Sequence, residues 1–481
     1  MDLGRGYDPS FMRRRIIVPA LLILFAFMPF CDIEQAPLRV ATTYYVATNG
    51  NDSYNGLCAS YQGGSNGPFR TLSCAASKVK AGDSVQIRGG MYQEASTWST
   101  DGTEANPIGI TNFSGETVLI KGNNHTIPGT EHEVLFQIAG DWYKVSNLEI
   151  CWSSGYGAIV SGYHCVVDNI YAHHNWNWGI VMTGWYSLVQ NCRAYNNSLM
   201  NEYVAMRGGG WGGGITACRH PRYTTISNCK SWDNWGEGIS TFESYHITIE
   251  DCISYNNQQN FYISDTKYCL FQRNIAYFTP GNMIQDYETQ NNILIADEKA
   301  NPASSDNTVI NNLALGGERN IAAARLENGL VAFNTFVNAS NTAGSESACV
   351  YFYAGSYSNA QFKNNIILQE NSVAISYIEA SGISFGYNDW SKTPSSGCRG
   401  TGDIIADPKL AKSGSIGAGF LNAGWFKILE SSPARDRATV LSKVTEDFFR
   451  TIRGDSPDMG AYEIPIKQMQ PVRIKDDIPE H

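Results

Sequence analysis

An all-β solenoid of short stacked strands is the fold that this sequence predicts, and three observations predict it. Five segments open on a tyrosine: Tyr163-His-Cys-Val-Val-Asp-Asn, Tyr186-Ser-Leu-Val-Gln-Asn, Tyr223-Thr-Thr-Ile-Ser-Asn, Tyr245-His-Ile-Thr-Ile-Glu-Asp and Tyr268-Cys-Leu-Phe-Gln-Arg-Asn. Their steps are 23, 37, 22 and 23 residues, and a fixed period in the low twenties marks a stacked repeat, here with one insertion. Charged residues make up only 17% of the chain while glycine (46) and tyrosine (26) are plentiful, which suits short strands and tight turns and argues against a helical bundle. Finally, 481 residues are long for one ordinary core, a limit that a solenoid escapes by adding coils.

The elements follow in chain order. Arg13, Arg14 and Arg15 precede an apolar run from Ile16 to Phe30, the pattern of a secretory leader, so 1–31 is read as a signal peptide or membrane anchor and the rest as extracytoplasmic. The net charge of −10 argues against a nucleic-acid partner, since phosphate binding needs concentrated Lys and Arg. Nothing points to a protein partner, and a membrane is expected only through the leader.

Eleven cysteines follow Cys31. Cys58 and Cys74 flank a Gly/Ser-rich loop and are the pair expected to bridge. Cys192, Cys229 and Cys252 recur just after Asn191, Asn228 and Asp251, which reads as a stack of small buried side chains rather than a zinc site. His173 and His174 are adjacent, so on a strand they face opposite ways and do not easily share an ion.

The mature chain opens with Tyr44-Tyr45-Val46-Ala47-Thr48-Asn49-Gly50-Asn51-Asp52, then Gly67-Pro68-Phe69-Arg70-Thr71-Leu72 and Ala81-Gly82-Asp83-Ser84-Val85-Gln86-Ile87-Arg88-Gly89-Gly90-Met91-Tyr92. Thr71 to Lys78 reads as a short helix, Gly82-Asp83 as a turn, and Val85 to Arg88 as a strand. This series resembles the N-terminal cap of secreted right-handed parallel β-helix proteins. The resemblance implies a single-stranded right-handed parallel β-helix over 42–466, with a cap with its short helix at 42–107 and coils at 108–380. In those coils Asn169, Asn191, Asn228, Asn274, Asn312, Asn334 and Asn364 recur at turns, where their amides are expected to form a ladder. The stretch ending Pro457-Asp458-Met459-Gly460-Ala461-Tyr462-Glu463 resembles the same family and implies a closure of the open end at 381–466, leaving 467–481 as a tail.

Candidate chemistry comes from columns along the helix axis, because equivalent positions in successive coils are about 4.8 Å apart. Aligned on Ile180, Ile215, Ile239, Ile263 and Ile284, the position four residues on reads Gly184, Arg219, Glu243, Lys267, Glu288. Two residues on it reads Met182, Ala217, Thr241, Asp265, Asp286, and two before it reads Trp178, Gly213, Glu237, Phe261, Asn282. Charge clusters in the middle coils. A surface ion-pair ladder would look the same and carry little energy, but Trp211, in the glycine-rich insertion 206–214, and Trp235 border this face. Tryptophan beside carboxylates suits sugar rings. Trp211, Trp235, Tyr262, Asp286 and Glu288 are therefore the expected substrate contacts.

Asn234-Trp235-Gly236-Glu237-Gly238 also resembles the acidic turn of the calcium-dependent pectate lyases among β-helical polysaccharide lyases, with Gly236 where that family has a second carboxylate. The resemblance implies Ca2+ at Asp233 and Glu237, and Lys267 as base. Two oxygen-bearing side chains fall short of the six to eight ligands that calcium takes. The reading that follows is a polysaccharide lyase on a uronate-containing polymer, with Arg219 or calcium neutralising the carboxylate and Lys267 abstracting the C5 proton. One alternative is a glycoside hydrolase using two of Glu237, Glu243, Asp265 and Asp286. The other is a glycan-binding surface protein without catalysis.

Overall fold

The computed structural model describes residues 39–122, 134–199, 212–282, 289–340 and 346–465. The expected leader and tail lie outside these residues, as do Trp211, Ile284, Asp286 and Glu288. Contacts divide the chain between Val40 and Ala41, and every coil lies in the second unit. No helix among the described residues is long and apolar enough to cross a membrane.

Each coil contributes one strand to each of three parallel sheets, as in Tyr143–Ser146, Glu149–Cys151 and Tyr156–Val160, before Val166–Asp168 starts the next. Sheet I begins with Thr43–Val46 and sheet II with Gly90–Tyr92, each of 13 strands among the described residues; sheet III begins with Ser96–Trp98 and has 11. One inward residue per coil stacks on its counterpart, as in the fully buried sheet I column Val189, Ile226, Ile249, Phe271, Val309 and Val331. Burying each such side chain is worth about 1.5–3 kcal/mol, so stacking supplies the core that no single coil could.

Thr71 caps a helix that is shorter than expected, Leu72–Ala76, whose Leu72, Ala75 and Ala76 join the core. The expected Cys58–Cys74 bridge is not formed: both are free thiols, and Cys74 Sγ is turned toward the carbonyl of Asp52 at 3.8 Å. Cys192, Cys229 and Cys252 are buried and stacked, with the Cys229 N–H donating to Cys252 Sγ at 3.4 Å.

The turn asparagines separate into two neighbouring columns. Asn169, Asn191, Asn228 and Asn364 adopt left-handed φ values of 53°, 56°, 49° and 59° on the outside of the bend. Asn274, Asn312 and Asn334 occupy the next position, fully inside, where Nδ2 of each donates to Oδ1 of the next at 3.1 and 3.0 Å, and on to Asn365 at 3.0 Å. The tyrosines separate as well. Tyr186, Tyr223 and Tyr268 stack in one exposed column with His164 and His246, each at left-handed φ, whereas Tyr163 and Tyr245 precede that column by one residue.

The C-terminal stretch packs along the side of the coils. Leu410, Trp425, Phe426, Ile428, Met459 and Ala461 pack on the outer side of sheet II against Tyr277, Leu315, Val337 and Leu368. Arg450 reaches Asp251 at 2.9 Å, and Arg453 reaches Asn311 at 2.9 Å. This segment is a strap along several coils.

Candidate active-site groove

Sheet III carries the charged face, and its register differs from the sequence alignment. Ile239 pairs with Phe261, which pairs in turn with Ile293, while Ile263 pairs with Thr241 and Ile295. Alignment on Ile263 is thus two residues out, which preserves inside and outside but exchanges neighbours along the column. Cys218 pairs with Phe242, Phe242 with Ser264, and Ser244 with Thr266. The charged column is therefore Arg219, Glu243, Asp265, all at left-handed φ (65°, 48° and 49°), and Lys267 instead neighbours Tyr245.

A groove of about 580 Å³ on this face is lined by Arg219, Glu237, Glu243, Tyr262, Glu298 and Lys299, with Tyr156 and Trp178 also on its walls. That volume lies within the range of small-ligand and subsite pockets. Glu237, Tyr262 and Glu298 also line the adjoining concavity, so the groove continues across the next coil. Glu237 heads the strand Glu237–Tyr245 and is 5% exposed. The chain reaches it through Gly236 at φ 100°, where a Cβ would meet the Gly212 carbonyl at 1.9 Å. Only glycine fits that approach.

The segment after the strand Asn291–Ala296 brings Glu298 and Lys299 over the groove. Asp265, fully buried, holds it there by accepting from the N–H groups of Glu298 (3.1 Å) and Lys299 (2.8 Å), and from Ser264 Oγ (2.6 Å). Asp297 helps by accepting from the Ser304 N–H at 2.9 Å and from Arg325 at 2.8 Å. Lys299 Nζ lies 3.0 Å from Glu243 Oε1 and above the Phe242 ring at 4.7 Å. The Tyr262 hydroxyl donates to the Glu298 carboxylate. Burial, then this bond to Glu298, pushes its pKa well above the ordinary tyrosine range, so it stays protonated as a donor.

The expected residues thus fall into two groups. Arg219, Glu237, Glu243 and Tyr262 meet in the groove. Asp265 lies beneath it as the anchor of the 297–304 segment, its carboxylate already taken by backbone donors. Lys267 is at the far end of its strand beside Tyr245, outside the groove lining. Trp235, expected as an exposed sugar platform, is 1% exposed, because Asn234 beside it belongs to an internal amide ladder that draws the turn inward. Glu298 and Lys299 escaped sequence reasoning. The chain between the strands Ile275–Tyr277 and Asn291–Ala296 is lengthened, so alignment on Ile284 placed the coil too early. The Asp297-Glu298-Lys299 run after an apolar strand was the available signal.

Calcium at Asp233 and Glu237 does not fit the donors present. Asp233 sits at a corner at φ 52°, bonded to Asn256 and beside Tyr255 of sheet II, and burial raises its carboxyl pKa to about 6. It lines neither part of the groove that Glu237 faces. Glu237, Glu243 and Glu298 share the groove without forming a compact ligand trio; among the described residues the compact trio is Glu149, Cys151 and His173 on sheet II.

Residues 44–268 match the family described as Pel9A-like, right-handed β-helix region. The chain is similar to pectate lyase L of Dickeya dadantii (strain 3937), 23% identical over 435 residues, covering 87% of this chain and 90% of that one. Two other curated relatives are matched over only 17% and 53% of their own length. Among solved structures, pectate lyase Pel9A superposes with a TM-score of 0.53 at 20% identity over 89% of this chain and 97% of that one. The xylose complex of XylC superposes with a TM-score of 0.58 at 11% identity over 88% and 98%. At such identities these likenesses speak for the right-handed parallel β-helix itself.

Proposed function

Because this chain is built on the pectate-lyase-like right-handed β-helix, we propose that it is an extracytoplasmic polysaccharide lyase cleaving an acidic, uronate-containing polymer by β-elimination. The observation that carries this reading is the presence of two cations, Arg219 and Lys299, in one groove with the protonated Tyr262. The exposed Arg219 guanidinium pairs with the uronate carboxylate, and the withdrawn charge makes the C5 proton easier to remove. Lys299, rather than Lys267, takes that proton after passing its own to solvent by way of Glu243. The C5–H and C4–O bonds break, a C4–C5 double bond forms, and Tyr262 delivers its proton to the departing oxygen. Glu298 orients the Tyr262 hydroxyl. No step draws on calcium.

The test is incubation with a panel of acidic and neutral polysaccharides, following both the ultraviolet absorbance of the unsaturated product and the release of reducing ends. Unsaturated product from a uronate polymer is expected, with turnover unchanged when calcium is added to calcium-free protein. Reducing ends without unsaturation would favour the second reading, a glycoside hydrolase. That reading draws on Glu237, Glu243 and Glu298 lining one groove. Binding without either product would leave a glycan-binding surface.

A further inference from the structure

Outside the groove, sheet II carries a cluster whose chemistry the lyase reading does not use. The strands Glu149–Cys151 and Tyr171–His173 are neighbours, with Cys151 and His173 in register. Glu149 lies two residues before Cys151, so all three side chains share the outer face, while Ile150 between them points into the core. Ligand atoms of Glu149, Cys151 and His173 lie within 4.8 Å of one another, and His173 Nε2 is 3.0 Å from Glu149 Oε1.

His174 does not point away, as two adjacent strand residues would. Its φ of 54° ends the strand and swings the ring back, so that its Nδ1 is 2.7 Å from Nδ1 of His173. One of those nitrogens carries the shared proton, which commits Nδ1 of His173 and leaves Nε2 directed at the cluster. Aromatic stacking fixes both rings: His173 on Tyr195 at 4.7 Å and His174 on Trp152 at 4.7 Å. Cys151 is 2% exposed and His173 8%, whereas the Glu149 side chain is 32% exposed and forms the open side.

We propose that Glu149, Cys151 and His173 form a binding site for one divalent transition-metal ion of the zinc class. Thiolate, imidazole and carboxylate together match that class, whereas calcium and magnesium take oxygen alone. With metal–ligand bonds of about 2.0–2.3 Å, ligand atoms around a tetrahedral ion lie roughly 3.4 Å apart. The three atoms here need only small rotations to reach that spacing. On binding, the ion displaces the Cys151 proton to solvent, and the Nε2 proton that His173 shares with Glu149 is released as well. His174 passes its Nδ1 proton to His173 and takes one from solvent at its own Nε2, so that His173 coordinates through Nε2 and water from the Glu149 side completes the fourth position. His174 holds His173 in the required tautomer, the part that outer partners of metal-bound histidines play.

The full chain, stripped of metal and without an affinity tag, is titrated with Co2+ as a spectroscopic probe and then with Zn2+. One equivalent of cobalt is expected to give a near-ultraviolet thiolate-to-cobalt band, which zinc then abolishes. Cys151→Ser should lose the band although the other cysteines remain. Glu149→Gln, isosteric and on the open side, should weaken binding at least ~10-fold, and His174→Phe, which keeps the ring stacked on Trp152, by about 10–100-fold. At one fixed zinc concentration, zinc should also raise the melting temperature of the parent protein more than that of the variants. Absence of a thiolate band in the parent, or a band that survives Cys151→Ser, overturns the proposal. Should Cys151→Ser fail to fold, unchanged affinity in Glu149→Gln overturns it equally.

Discussion

Lys299 and Arg219 divide the work at the residue scale, and each division has a measurable consequence. Lys299 is well exposed and pairs with Glu243 at 3.0 Å; such surface pairs contribute about 0–1 kcal/mol, so Lys299→Ala is expected to melt like the parent. As general base it should nonetheless lower kcat by roughly 10²–10⁴-fold, and Lys267→Ala should leave kcat unchanged. Arg219→Ala should lower kcat/KM by about 10²–10³-fold, as removal of a charge-stabilising group does. Its effect should shrink on a methyl-esterified uronate polymer, which still allows elimination but lacks the carboxylate charge.

A second prediction at this scale concerns Asp389, which is fully buried and whose pKa is raised to about 8 by burial, with neighbouring Asp407 adding to it. Unfolded, the same carboxyl ionises near ~3.9. Between about pH 4 and pH 8 the folded state therefore holds a proton that the unfolded state has released. Stability is full below that window and falls as pH rises through it, levelling off above. Denaturant midpoints measured across this range should decline for the parent and decline less for Asp389→Asn.

Among elements, the internal asparagine ladder and the 297–304 segment show how the coil places its chemistry. The Asn334 side chain accepts from the side chain and N–H of Asn312, and donates to Asn365 and to the carbonyls of Val309 and Ala332. Asn334→Ala leaves these buried groups unpaired, at about 1–3 kcal/mol each. A lower unfolding midpoint with unchanged coil content is the expected result. The recurrence of asparagine was plain in the sequence, but its division into an outer and an inner column was not. Adjacent residues at a left-handed corner face opposite ways, and only the bend says which one enters the core. Glu298 and Lys299 were hidden for a related reason, since a lengthened coil shifts every later residue relative to a fixed period. Asp265 looked reactive because charge clusters in the middle coils, yet its φ of 49° turns it beneath the groove to cap two backbone N–H groups.

For the whole molecule, the strap formed by the C-terminal segment matters as much as the stack. Its Trp425, Phe426 and Met459 shield an outer side of sheet II that is apolar at Tyr277, Leu315, Val337 and Leu368. A solenoid coil normally presents polar residues there, and an uncovered apolar face invites association. Truncation after residue 407 is expected to leave the groove strands in place, since they lie on sheet III. It should raise binding of a hydrophobic dye and produce concentration-dependent association in sedimentation.

The sequence by itself determined a stacked all-β architecture, its cap and a charged face in the middle coils, because period, turn chemistry and composition are local properties that repeat. Arg219, Glu237, Glu243 and Tyr262 were legible for that reason. Tertiary structure alone decided which lysine meets Arg219, that Trp235 turns inward, and that Glu149, Cys151, His173 and His174 converge on sheet II. Those facts depend on register between coils and on left-handed corners, where a rotation at one residue redirects a side chain without disturbing the period.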